Sequence, residues 1–69
     1  MESKRDIIIN AVKGQPGIRF YPISTLLIEA GHYTGKDFDE REAVNADINE
    51  VIASGAIRWD DEAGGFVTC

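Results

Sequence analysis

The chain predicts an α+β fold of three helices and a three-stranded antiparallel sheet that ends in a C-terminal β-hairpin. Three observations carry that prediction. Apolar residues recur at helical spacing on either side of Pro22. A third such stretch, Val44 to Ser54, stops at Gly55. Beyond it, Ala56-Ile57-Arg58-Trp59 and Phe66-Val67-Thr68-Cys69 flank a polar turn rich in Asp and Gly, the pattern of a hairpin. The 69 residues are read as a single domain spanning 1–69, close to the size at which a hydrophobic core alone barely holds a fold.

The first helix is expected from about Lys4 to Lys13. Ser3 caps it, and Asp6 favours the positive end of the dipole. Ile8, Ala11 and Val12 share one face, Ile7 widens it, and Ile9 lies away from it. Gly14 ends the helix and Gln15-Pro16-Gly17 turns the chain. Ile18-Arg19-Phe20 then reads as a short first strand, since β-branched and aromatic residues suit a pleated surface.

Pro22 suits the first turn of a second helix, where a missing N–H costs nothing. Ile23, Leu26, Leu27 and Ala30 form its inward stripe, and Gly31 ends it. Residues 32–36 form a loop. Asp37 to Glu40 has the spacing of a capping box, with Asp37 accepting from the backbone and Glu40 reaching back. The third helix then buries Val44, Ile48, Val51 and Ile52, and Gly55 supplies a left-handed exit. In the hairpin, Trp59 and Phe66 flank the turn Asp60–Gly65 and are placed to pair across it.

The order helix, short strand, helix, loop, helix, two-stranded wing resembles the winged helix-turn-helix superfamily over nearly the whole chain. Its most specific part is Val51-Ile52-Ala53-Ser54-Gly55-Ala56-Ile57 followed by Gly65-Phe66-Val67. The resemblance implies that the outward face of the third helix and the wing tip are the contact surfaces. Many such domains read DNA with them. This chain departs from that pattern twice. The stretch Gly31 to Asp37 is longer than the three or four residues that usually join the second and third helices. The charge is also reversed.

Net charge is −5. Residues 1–36 hold five cations against three anions, and residues 37–69 hold two cations against nine anions. A surface that grips phosphates shows the opposite sign. Opposite the core stripe of the third helix lie Asp39, Glu42, Ala46, Asn49, Glu50 and Ala53, with no cation at the centre. The wing tip reads Asp60-Asp61-Glu62. Together these nine residues are the candidate partner-binding set. Ala46 and Ala53, one heptad apart, leave low ground on which a partner helix bearing basic side chains could meet Glu42 and Glu50.

The bland reading of the same face is a solvated acidic surface. The DNA reading has Asn45 and Asn49 meeting adenine edges, against the repulsion of nearby carboxylates. The cations Lys4, Arg5, Arg19 and Lys36 read as scattered surface charge, or as the better contacts were nucleic acid bound.

Other chemistry finds little support. The spacing of Asp60, Asp61 and Glu62 does not match a calcium loop, so no metal is expected. His32, the lone histidine, sits past a helix end without an identifiable nucleophile beside it and reads as structural or exposed. The lone Cys69 makes neither an internal disulfide nor a zinc site. No cofactor and no enzymatic activity are expected. No apolar run approaches the ~20 residues of a membrane span, and Ile7-Ile8-Ile9 is too short for a signal sequence. The expectation is a cytoplasmic, non-enzymatic module that binds a protein, in a transcription or replication assembly. A DNA-binding regulator and a DNA-mimicking inhibitor are the alternatives, and a homodimer is compatible with each.

Overall fold

A computed structural model describes residues 2–69. Its elements in order are α1 (Lys4–Gly14), α2 (Phe20–Glu29), α3 (Glu40–Ala53), β1 (Ile57–Asp60) and β2 (Gly65–Thr68). It is an α+β arrangement of three helices with a two-stranded antiparallel sheet. Helices and hairpin enclose one core, built from Ile7, Ile8 and Val12 of α1, Ile18, Ile23 and Leu27, Val44, Ile48 and Val51 of α3, and Ile57 and Phe66 of the hairpin.

α1 begins as its sequence dictates. The Ser3 hydroxyl accepts the N–H of Asp6 at 3.1 Å, satisfying a donor that has no partner inside the helix. Ile8 and Val12 are fully buried. Ile9, expected to lie away from the core, packs partly buried at its edge. Gln15 N–H closes on Ala11 at 3.0 Å, and Gly17 turns the chain at φ +90°.

The expected third strand is reduced to a single bridge, Ile18 opposite Phe66. Space along the chain is the cause. Gly17 is still turning, while Arg19 is the N-cap of α2 and Phe20 its first residue, so only Ile18 is left to pair. The bridge is nonetheless well made: Gly17 N–H donates to Phe66 O and Phe66 N–H to Ile18 O, both at 2.8 Å.

α2 buries Ile23 and Leu27, but Leu26, expected on the same stripe, is 38% exposed. The buried face of α2 is narrower than its apolar pattern. α3 buries Val44, Ile48 and Val51, with Ile52 packed partly buried beside them. Its start differs from the expected capping box. The helix begins at Glu40, Asp39 is the N-cap, and no side chain caps it. Asp37 Oδ1 instead accepts Asp39 N–H at 3.0 Å. Glu40 reaches further back than expected, to the Thr34 N–H at 2.8 Å, the Thr34 hydroxyl and the Gly35 N–H at 3.3 Å. Glu40 therefore knits the loop before α3. The Thr34 hydroxyl, then the backbone N–H groups, hold its carboxyl below its ordinary pKa.

Gly55 leaves α3 at φ +85°, the predicted left-handed exit. β1 and β2 pair in the register Ile57 with Thr68 and Trp59 with Phe66. The Trp59 and Phe66 rings meet edge to face, centroids 5.1 Å apart, as their positions beside the turn led one to expect.

Candidate functional site

The outward face of α3 stands where helical periodicity put it. Asp39, Glu42, Ala46, Asn49, Glu50 and Ala53 are all exposed. Val44, Ile48 and Val51 hold the opposite side of the helix in the core, so this face is fixed in orientation. Among the described residues, the carboxylates of Asp39, Glu42 and Glu50 accept no hydrogen bond and form no ion pair. Their charge is directed at solvent. The alanines between them present only methyl groups, which lets a second backbone approach closely.

The two ends of the face differ. At its C-terminal end Glu50 and Ala53 border a groove of about 440 Å³ whose other wall is Lys4 and Arg5 of α1. Packing of α1 on α3 thus brings the start of the first helix beside the acidic face, which helical periodicity within α3 alone had no means to reveal. At the N-terminal end Asp39 and Glu42 line a groove of about 240 Å³ with Phe38, Arg41 and Asn45.

Of the other two acids on α3, Glu40 holds the preceding loop and Asp47 is committed inside the molecule. The Tyr33 hydroxyl donates to Asp47 and accepts from Lys4 Nζ at 3.2 Å, and Lys4 lies 3.8 Å from the Asp47 carboxylate. Lys4 also sits over the Tyr33 ring at 4.9 Å from its centroid. Partial burial, then the hydrogen bond to Asp47, raise the Tyr33 pKa. The hydrogen bond to Tyr33, then the Asp47 charge, raise that of Lys4. This three-residue clamp ties the loop after α2 to both neighbouring helices. Nothing in the spacing of Lys4, Tyr33 and Asp47 along the chain announces it.

The clamp has a pH signature. Both groups hold their protons more tightly folded than unfolded, so their stabilisation is complete below their ordinary pKa values near 10. It is lost as pH rises through the elevated folded values. Tyr33→Phe is expected to cost about 1 kcal/mol at pH 7 through the lost hydroxyl and to flatten the decline in stability as pH rises above the ordinary values near 10. Urea unfolding across that range checks both.

The hairpin turn is less free than its charge suggests. Asp60 Oδ1 accepts the N–H groups of Glu62 and Ala63 at 2.9 and 3.4 Å, and its other oxygen lies 3.5 Å from Arg58. Asp61 accepts the Trp59 indole N–H at 2.8 Å. Asp60 and Asp61 shape the turn, leaving Glu62 as the member of the trio whose side chain makes no hydrogen bond among the described residues. The turn lines neither of the grooves flanking α3.

His32 Nε2–H donates to the Glu2 carbonyl at 2.9 Å, a structural contact. Arg19 donates to the Gly64 carbonyl at 3.0 Å, so the cations expected as scattered surface charge include two, Arg19 and Lys4, with internal partners. The Cys69 side chain is exposed at the end of the hairpin. No helix of the described residues is long and apolar enough to cross a membrane.

The chain matches no protein-family model, no curated protein and no solved structure.

Proposed function

We propose that this chain is a non-enzymatic interaction module of the winged-helix class, working in the cytoplasm, that docks a protein partner on the outward face of α3. The observation that carries the reading is the exposed pair Ala46 and Ala53, one heptad apart, between the uncommitted carboxylates of Glu42 and Glu50. A partner helix with small or apolar residues on its seam and Lys or Arg at its flanks fits that relief. The bridge between Ile18 and Phe66 supports the class, because it occupies the place of the small first strand in a winged helix. A transcription or replication assembly is the proposed setting.

The charge speaks against a duplex as the ligand. The central part of the α3 face holds Asn49 and Glu50 but no cation, and the turn trio adds no positive charge. Phosphates brought to the centre of this face would meet carboxylates and no Lys or Arg to displace the duplex's own counter-ions.

The test is capture from a cytosolic extract with the wild-type chain beside the double variant Ala46→Arg, Ala53→Arg. A partner held by the wild type and lost by the variant is expected. A partner retained equally by both rules out this face. A mobility-shift titration with duplex DNA at low salt runs in parallel, and binding that weakens steeply with added salt would replace this reading with DNA recognition. If duplex DNA displaces a captured partner, the module acts as a DNA mimic.

A further inference from the structure

The molecule carries a second surface that overlaps the proposed partner face only at Asp39 and Glu42. Phe38, in the loop before α3, is 88% exposed, and Tyr21 on α2 is 65% exposed. A groove of about 310 Å³ runs between them, floored by Phe20, Ile28 and Val44. The smaller groove holding Asp39, Glu42 and Asn45 shares Phe38 and Arg41 as walls. One exposed ring thus stands between two depressions.

The charges around that ring divide into spent and unspent. Asp37 and Glu40 are engaged by the backbone of their own loop. Arg41 lays its guanidinium over Phe20 and Tyr21, 5.9 and 5.6 Å from the ring centroids, and pairs with no carboxylate among the described residues; neither does Lys36. Asp39 and Glu42 are equally unpaired. The patch therefore offers two cations and two anions that do not meet within the chain.

We propose that this face pairs with the same face of a second copy of the chain about a two-fold axis. Phe38 of each protomer enters the groove beside Tyr21 of the other, and Lys36 and Arg41 face Asp39 and Glu42 of the second copy. An isologous contact requires a surface that complements itself, and equal numbers of both signs around an apolar anchor provide that. A purely basic partner would leave Lys36 and Arg41 unpaired, and a purely acidic one would leave Asp39 and Glu42 unpaired. Single-stranded nucleic acid could stack on the rings, but four carboxylates border the two grooves. The whole chain exposes 4516 Å², so a patch of this kind buries an area at the low end for specific contacts and yields a weak dimer. The α3 face from Ala46 to Ala53 stays open in the dimer, and Phe38 lies outside the proposed partner face, so the Phe38 variant tests the dimer without testing the partner reading.

Sedimentation equilibrium from about 5 μM to about 1 mM tests it, a range that brackets a dissociation constant of tens of micromolar. The wild type is expected to move from monomer to dimer across that range. Phe38→Ser, at a site too exposed to matter for folding, is expected to weaken association at least about tenfold. The pair Lys36→Glu, Arg41→Glu in one protein, and the pair Asp39→Lys, Glu42→Lys in another, should each sediment as monomers. An equimolar mixture of the two should form dimers, because each then meets its complement. A wild type that stays monomeric throughout, a dimer indifferent to Phe38→Ser, or a mixture that fails to associate overturns the proposal. A labelled oligo-dT that binds the wild type and not Phe38→Ser would assign the groove to single-stranded nucleic acid instead.

Discussion

Gly65→Ala is expected to destabilise the domain by about 3 kcal/mol or more, although it adds one methyl group. A Cβ at this position would lie 2.0 Å from Gly17 O, 2.4 Å from Gly17 C and 2.5 Å from Ile18 O. All three are backbone atoms, so no side chain can swing aside. Relief requires the segment at Gly17 and Ile18 to move off β2. That breaks the two 2.8 Å hydrogen bonds to Phe66 and uncovers Ile18, a core residue. Two lost hydrogen bonds at about 1 kcal/mol each, plus overpacking of about 1–3 kcal/mol, set the scale. Against a total stability of roughly 0.05–0.15 kcal/mol per residue, that is a large fraction for so short a chain. Gly14→Ala is the control. It meets nothing within 4 Å, lies at the end of α1 without a positive φ, and should leave stability unchanged or raise it by about 0.5 kcal/mol. Urea midpoints of the two variants against wild type decide the matter. A Gly65→Ala protein as stable as Gly14→Ala would mean that the Ile18 bridge does not organise the fold.

That bridge also marks the boundary of what the linear pattern discloses. Periodicity located α1, α3 and the hairpin within a residue or two, because their apolar residues face one core. It also placed Trp59 opposite Phe66. It overextended the strand at Ile18, because β propensity in Arg19 and Phe20 does not register that a helix begins there. Leu26 failed for a related reason: helical spacing identifies an apolar stripe but not how wide a face the neighbouring elements cover.

The candidate site divides along the same line. The exposed face of α3 follows from angles within a single helix, so its six residues were legible. The state of the turn trio was not, since Asp60 and Asp61 are engaged by hydrogen bonds that depend on the three-dimensional path of the turn. The Lys4, Tyr33 and Asp47 clamp and the aromatic patch at Phe38 each join parts of the chain that only packing brings together.

Ile48→Ala is expected to cost about 3 kcal/mol, within the range for emptying a buried Ile site. Ile48 is fully enclosed in the core, and α3 rests on α1, α2 and the hairpin through it and its neighbours Val44 and Val51. Ala46→Arg and Ala53→Arg, on the same helix, should each shift stability by less than about 0.5 kcal/mol, because their methyl groups face solvent and Arg is a good helix former. The contrast separates two roles that a single loss of binding would confuse. If Ile48→Ala weakens partner capture only in proportion to the fraction unfolded, while the arginine variants abolish capture with the urea midpoint intact, the outward face itself holds the partner. If the arginine variants lower the midpoint as Ile48→Ala does, that face is part of the fold's support. Its acidic rim then has to be read as surface charge that keeps a small domain apart from its neighbours.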